Sequence, residues 1–330
     1  MQNRTRVLGA LLTASVVACS GEVPASGPGD PPIEATPEFG AAVDVPPLAQ
    51  AISFLGDTLL PVVLTDAQHE VYLARYTEAE DVLANDPEDA DALVWMGRRT
   101  AYLGQFREAI DIYSHAMTLH PEDARLYRHR GHRYITVREL DNAIADFRRA
   151  AELTAGTPDE IEPDGLPNAA GIPTSTLQFN IWYHLGLSLY LKGDFEAALD
   201  AYRSCLSVSA HPDSVVATTH WLYMTLRRLG RDAEAAVVLE GVRADAGIVE
   251  SGGYLDLLLL YKGERTAEEL MGGDEITLAS TTTSYGVGVY YLLSGMPDQA
   301  FETFEQTRAG IASHWGAFGF VAAEAELARR

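Results

Sequence analysis

Two consecutive stretches decide how this sequence reads: ADALVWMGRRTAYLGQFREAIDIYSHAMTLHPED at 90–123 and ARLYRHRGHRYITVRELDNAIADFRRAAELTAGT at 124–157. Both are 34 residues long, and their landmarks coincide when one is laid on the other: Gly97 on Gly131, Ala109 on Ala143, Tyr113 on Phe147 and Ala116 on Ala150. Within each stretch the apolar and small residues recur at helical spacing in two runs parted by a short break, which predicts a helix–turn–helix unit. Gly104 marks the break in the first, because glycine accepts the left-handed conformation that ends a helix. Small residues at recurring positions let helices approach closely, and the aromatics fill the gaps between them. One such unit cannot bury its apolar face alone, so the units must stack on one another.

The pattern resembles the tetratricopeptide repeat, a helix–turn–helix unit of the same length. The first unit carries Leu93, Met96, Gly97, Gly104, Phe106, Ala109, Tyr113, Ala116 and Pro121, and departs from the family in holding Thr100 where tyrosine is usual. The second carries Tyr127, Gly131, Tyr134, Leu140, Ala143, Phe147 and Ala150; its turn position holds Arg138 in place of glycine, and Ala155 stands where proline is usual. A third unit at 179–212 shows Trp182, Leu185, Gly186, Gly193, Phe195, Ala198 and Tyr202, with Cys205 in an alanine position, where a buried, inert thiol is expected. A fourth follows at 216–249 with Leu222, Leu226, Gly230, Ala235 and Leu239, a worn unit at about 249–280 is anchored by Gly263, and a last one at about 281–314 carries Gly288, Gly295, Ala300 and Phe304. The resemblance implies an all-α tetratricopeptide-repeat solenoid over 90–314. Residues 49–89 are expected to be N-terminal capping helices and residues 315–330 a C-terminal capping helix. A segment at about 155–178, rich in proline and glycine, interrupts the rhythm between the second and third units; an irregular insertion of that length is either functional or a tolerated surface loop.

The N-terminus reads as an address. Residues 1–6, MQNRTR, carry Arg4 and Arg6 and no acid, and residues 7–18 are apolar or small but too few to span a bilayer. They end in Val16, Val17 and Ala18 ahead of Cys19, which resembles a lipobox; the resemblance implies a signal peptide over 1–18 and acylation of Cys19. Ser20 resembles a sorting signal for the outer membrane, facing the periplasm. Residues 19–48, dense in proline and glycine, are expected to be a disordered tether. The order of segments, including RHRGHRYI, EPDGLPN and HWLYMTLRRLG, is similar to that of a bacterial family of repeat lipoproteins.

Charge bounds the partners. The chain has 24 basic residues against 47 acidic ones, a formal net charge of −23, and only two of the basic residues are lysines, Lys192 and Lys262. Such acidity argues against nucleic acid and against simple attachment to anionic lipid. The first helix of each tetratricopeptide unit lines the concave face, and here the resemblance places Arg98 in the first unit with Asp91 and Trp95, Arg125, Arg128, His129 and His132 in the second, Asn180, Tyr183 and His184 in the third, and His220, Trp221 and Arg227 in the fourth. An acidic protein thus collects arginine, histidine and aromatic residues in one groove. Arginine pairs bidentately with carboxylates, and tyrosine and tryptophan offer stacking surface, so the groove suits an acidic or carboxylate-bearing peptide of an envelope protein. It is similar in kind to the carboxylate clamp of some chaperone-binding repeats, although the lysine and asparagine of that clamp are absent at the matching places. The competing reading is that these arginines pair within the chain, with Asp91 or Glu162. A metal site from His129, His132, His184 and His220 lacks any ligand-spacing motif, and no cofactor is expected. No GxSxG, phosphate-binding or dinucleotide motif points to an enzyme; Arg128, His132 and Glu162 are the one set that folding could bring together for acid–base work. A self-associating scaffold is the remaining alternative.

Overall fold

The computed structural model describes residues 48–271 and 278–330. Cys19, the leader and the tether as far as residue 47, and residues 272–277 of the worn unit, lie outside the described residues. Everything below concerns the unit Thr36–Arg330.

The repeat frame consists of antiparallel helix pairs. Helices α2 (Ala90–Tyr102) and α3 (Phe106–Leu119) form the first, α4 (Ala124–Thr136) and α5 (Leu140–Thr154) the second, α6 (Leu177–Lys192) and α7 (Phe195–Val208) the third, and α8 (Pro212–Arg228) and α9 (Asp232–Glu240) the fourth. The worn unit has α10 (Gly252–Tyr261) and, among its described residues, the short α11 (Ala267–Leu270). The last pair is α12 (Leu278–Leu293) and α13 (Pro297–Thr307), followed by a 3-10 turn, Arg308–Gly310, the short α14 (Ile311–His314) and a final helix, α15 (Phe318–Ala328). Local chemistry sets the starts: the side chains of Asp89, Asp123, Thr176 and Asp194 each accept a backbone N–H in the first turn of the helix that follows.

The pairing rule seen in the sequence is a contact rule in space. A Cβ placed on Gly97 would lie 2.5 Å from the Tyr113 ring, on Gly131 3.0 Å from Phe147, on Gly186 2.6 Å from Tyr202, and on Gly288 2.5 Å from Phe304. Each first helix therefore surrenders a side chain so that an aromatic of its partner can lie flat against its backbone. Tyr113, Phe147, Tyr202 and Phe304 are at most 1% exposed, and each contributes roughly 1.5–3 kcal/mol by burial. The fourth unit inverts the rule: Tyr223 takes the small position and stacks on Tyr261 at 4.6 Å, while Leu239 takes the aromatic one. Cys205 is free and fully buried, its sulfur 3.2 Å from the Thr218 hydroxyl, and burial pushes its thiol up to about 12; it is a packing residue.

The ends correct one expectation. Of residues 49–89 only Asp66–Asn85 (α1) forms a long helix before the frame; Ala51–Ile52 (β1) and Thr58–Leu59 (β2) form a small antiparallel hairpin instead. The Ser53 hydroxyl accepts the N–H groups of Leu55 and Asp57, and Gly56 has φ 89°, a local turn that competes successfully with helix. This hairpin and α15 close on each other across the molecule. The Glu324 carboxylate of α15 accepts the Phe54 N–H at 2.6 Å and pairs with Arg138 at 2.9 Å, and the Trp315 indole donates to the Leu60 carbonyl at 2.9 Å. Glu326, also on α15, holds Arg228 at 2.9 Å, so α15 runs past the turns of the second and fourth units.

Candidate functional site

One face of α4 carries Arg128, His129, His132 and Arg133, which are one and four residues apart and so share a side of the helix. Beside it, α2 contributes Arg98 and Tyr102, and α6 contributes Asn180. With the Tyr113 ring from α3, these side chains line a cavity of about 280 Å3. Its remaining wall comes from the inserted segment, chiefly Glu162, Pro163 and Asp164, with Glu250 from the link between α9 and α10.

The centre of the site is Arg128, 7% exposed. Its Nη1 lies 3.1 Å from His129 Nδ1 and 3.3 Å from His132 Nδ1. A guanidinium only donates, so both Nδ1 atoms accept and each ring carries its proton on Nε2. Burial, reinforced by the surrounding arginines, holds both imidazoles well below the usual histidine range, and they are neutral. The Arg128 Nε sits 2.8 Å from Glu162 Oε2, an ion pair with both side chains 8% exposed. Its N–H is not aligned on that oxygen, so the attraction is one of charge more than of a directed hydrogen bond. Burial pulls the Arg133 guanidinium down to about 10; it lies 5.7 Å from the Phe106 ring and has no carboxylate within ion-pair distance among the described residues. Arg98 donates to the Pro163 carbonyl at 2.8 Å and stacks on Trp95 at 4.4 Å.

Of the residues the sequence nominated, Arg98, Arg128, His129, His132 and Asn180 meet at this cavity. The others do not. Arg125 is held at the start of α4 by Asp91 and Asp123. Tyr183 and Trp221 are core: the indole N–H donates to the Tyr183 hydroxyl at 2.8 Å, which also bonds Tyr254. His184 is buried behind His132 at a ring distance of 4.7 Å, bonded through Nδ1 to the Asn180 carbonyl, and burial holds it down at about 3. His220 is fully buried against Trp221, Tyr254 and Tyr261, and it too is held at about 3 by burial. Arg227 pairs with Asp232 at 2.7 Å at the far end of α8. The nominated groove is therefore not one open surface. Its third and fourth units have closed into core: Tyr254 and Tyr261 of α10 cover His220, Tyr285 of α12 stacks on Trp221, and Phe318 of α15 lies against His184. The in-chain pairing weighed above is real for Arg125 with Asp91 and for Arg128 with Glu162. Arg133, Tyr102 and Tyr113 were not nominated; Arg133 stands four residues after His129, and that spacing was the signal for it.

The histidines do not converge on a metal position. Among the described residues no group of three or more His, Cys, Asp or Glu side chains is placed to hold a metal ion. The Arg128 cation lies against both His129 and His132 and occupies their Nδ1 lone pairs, so neither ring offers a free basic nitrogen. The cluster holds one carboxylate of the chain itself, that of Glu162. No helix among the described residues is long and apolar enough to cross a membrane.

The sequence model of the tetratricopeptide repeat matches residues 179–212, the third unit. No curated protein matches the sequence. Among solved structures, the chain is similar to YrrB, described as a TPR protein with an unusual peptide-binding site, at 15% identity over 76% of this chain and 97% of YrrB, TM-score 0.40. It is similar to MamA at 19% identity over 53% of this chain and 92% of MamA, TM-score 0.40. It is similar to a tetratricopeptide repeat protein from Parabacteroides merdae ATCC 43184 at 11% identity over 79% of this chain and 99% of that one, TM-score 0.46. One unit is matched outright, and the pairs built on Gly97, Gly131 and Gly288 repeat its glycine–aromatic contact, so the fold is that of stacked tetratricopeptide-type helix pairs, all-α but for the small hairpin.

Proposed function

We propose that this chain is a lipid-anchored adaptor of the bacterial envelope, attached through Cys19 to the outer membrane on its periplasmic side. In this reading it binds an acidic, carboxylate-bearing segment of a protein partner at the basic pocket between α2, α4 and α6. One observation carries the reading. In a chain of net charge −23, Arg98 and Arg133 line one cavity with no ion-pair partner among the described residues, Arg75 and Arg99 meet at the nearby Gly165 carbonyl likewise without one, and Arg128 between them already seats a carboxylate. Unpaired guanidinium groups in a partly enclosed site attract anions strongly, because the low dielectric weakens screening. The lipobox-like run before Cys19 supports the anchor, and the fold class supports a protein or peptide as the partner.

The test has two arms on the full chain. Cell fractionation follows Cys19→Ser, which is expected to leave the membrane fraction. A paired pull-down from detergent-solubilised envelope compares the native chain with Arg98→Glu/Arg133→Glu after circular dichroism shows equal helicity. A protein enriched on the native chain and lost from the variant supports the pocket; identical captures on both sink it. Continued membrane attachment of Cys19→Ser sinks the anchor.

A further inference from the structure

The inserted segment leaves and re-enters the repeat frame at one point. The Leu177 N–H donates to the Glu160 carbonyl at 2.8 Å, the Glu162 N–H to the Ser175 carbonyl at 3.3 Å, and Ile161 pairs with Thr176 as a single antiparallel bridge. The chain between is thus a closed loop with its ends pinned together, the geometry of an Ω-loop. Its returning limb is tied down as well: Thr174 and Asn168 bond the Glu250 carboxylate, and Ser214 donates to the Thr174 carbonyl at 2.6 Å. The loop is a strap across the pocket.

Residues 162–165, Glu-Pro-Asp-Gly, run along that pocket's wall and engage the neighbouring arginines as a ligand's chain would. The Glu162 carboxylate lies on Arg128. The Pro163 carbonyl accepts from Arg98, and the Gly165 carbonyl accepts from both Arg99 at 2.9 Å and Arg75 at 3.1 Å. Gly165 is pressed so close to α2 that a Cβ there would fall 1.9 Å from the Tyr102 hydroxyl oxygen. Three of these four arginines, drawn from α1 and α2, donate to neutral carbonyl oxygens although a guanidinium pairs better with a carboxylate. The strap thus pairs a carboxylate with Arg128 alone and meets the other three through its main chain.

We infer that residues 162–165 occupy, within the chain, the place of the partner's own segment, so that the partner enters by displacing the strap. The inference rests on the reading of this pocket as the partner site and adds the partner's chemistry. That segment carries a carboxylate side chain to sit on Arg128 and, three residues later, a glycine to pass Tyr102, with extra negative charge to engage the arginines the strap leaves unpaired. A tethered segment competes at an effective concentration on the order of millimolar, so it sets a threshold that only a better-charged segment passes.

The experiment titrates a fluorescein-labelled peptide of residues 161–166, IEPDGL, into the full chain and reads anisotropy. The receivers are the native chain, Glu162→Gln and Gly165→Ala; the first variant removes the strap's charge, the second unseats it by bulk against Tyr102. The peptide is expected to bind both variants at least about tenfold tighter than the native chain, to lose that gain when its glutamate is replaced by glutamine, and to be shed on adding Arg128→Met. Equal affinity for all three receivers overturns the strap's role as competitor while leaving the pocket as a binding site. No binding to any receiver overturns the stated chemistry; if the paired pull-down is also unchanged by Arg98→Glu/Arg133→Glu, the pocket reading falls with it.

Discussion

At the scale of the residue, Arg138 shows how a departure from the repeat becomes a structural device. The turns of the other units place Gly104, Gly193, Gly230, Gly263 and Gly295 at positive φ; the second places Arg138 there, at φ 69°, the one non-glycine residue in that region among those described. An L residue in that conformation costs about 1–2 kcal/mol. The conformation aims the guanidinium inward, where Nε and Nη2 meet both oxygens of Glu324 at 3.1 and 2.9 Å, and Nη2 also reaches the Trp315 carbonyl at 2.9 Å. Both side chains are buried, Glu324 fully. Breaking such a pair costs about 3–5 kcal/mol, because the remaining charge is left without a partner. Arg138→Gly is therefore expected to relieve backbone strain and still lower stability by about 2–4 kcal/mol, read as a fall in urea midpoint at pH 7. A midpoint at or above the native value contradicts the account. The sequence marked Arg138 as odd but not why, since its partner lies 186 residues away.

At the scale of the element, the first helices of three successive units turn histidines inward: His129 and His132 on α4, His184 on α6 and His220 on α8. All four are held below the ordinary histidine value of 6.5, chiefly by burial, His184 and His220 at about 3. A depressed histidine means that the unfolded chain takes the proton first. The stability these rings confer is whole above about pH 6.5 and is lost as pH falls from there towards 3, at about 1.4 kcal/mol per pH unit for each ring. Urea unfolding at pH 7, 6 and 5 is expected to show a steep decline that His220→Phe makes shallower; a flat profile over that range would show the rings to be solvated. Helix pairs were legible in the sequence because glycine against aromatic, sixteen residues on, is a contact within one unit, as with Gly186 and Tyr202. The hairpin at 51–59 was not, because AISFL fits strand and helix alike over so short a run, and the Ser53 turn that decides it is side-chain chemistry. The pocket was half legible: α4's basic face could be read off its spacing, but the strap that roofs it comes from outside the repeat, and the closing of the third and fourth units depends on α10, α12 and α15.

At the scale of the molecule, ends far apart in sequence meet, and a segment between repeats folds back into the repeat face. Asp57 pairs with Arg308, Phe54 with Glu324, and Glu162 with Arg128. Through Asp57 and Glu162 an acidic chain uses carboxylates to bind its scarce arginines, yet in and beside the pocket it leaves Arg75, Arg98, Arg99 and Arg133 without one among the described residues. That imbalance is the central claim, and the strap is its resident substitute for a partner. The most direct test is amide hydrogen exchange over residues 160–177 in the native chain and in Arg128→Met. If the pocket holds the strap, exchange of residues 162–166 should quicken at least about tenfold in the variant while α4 and α6 keep their protection. Exchange in the strap that is the same in both chains would mean that the basic cluster does not hold it, and the account of the pocket as a carboxylate site would be wrong.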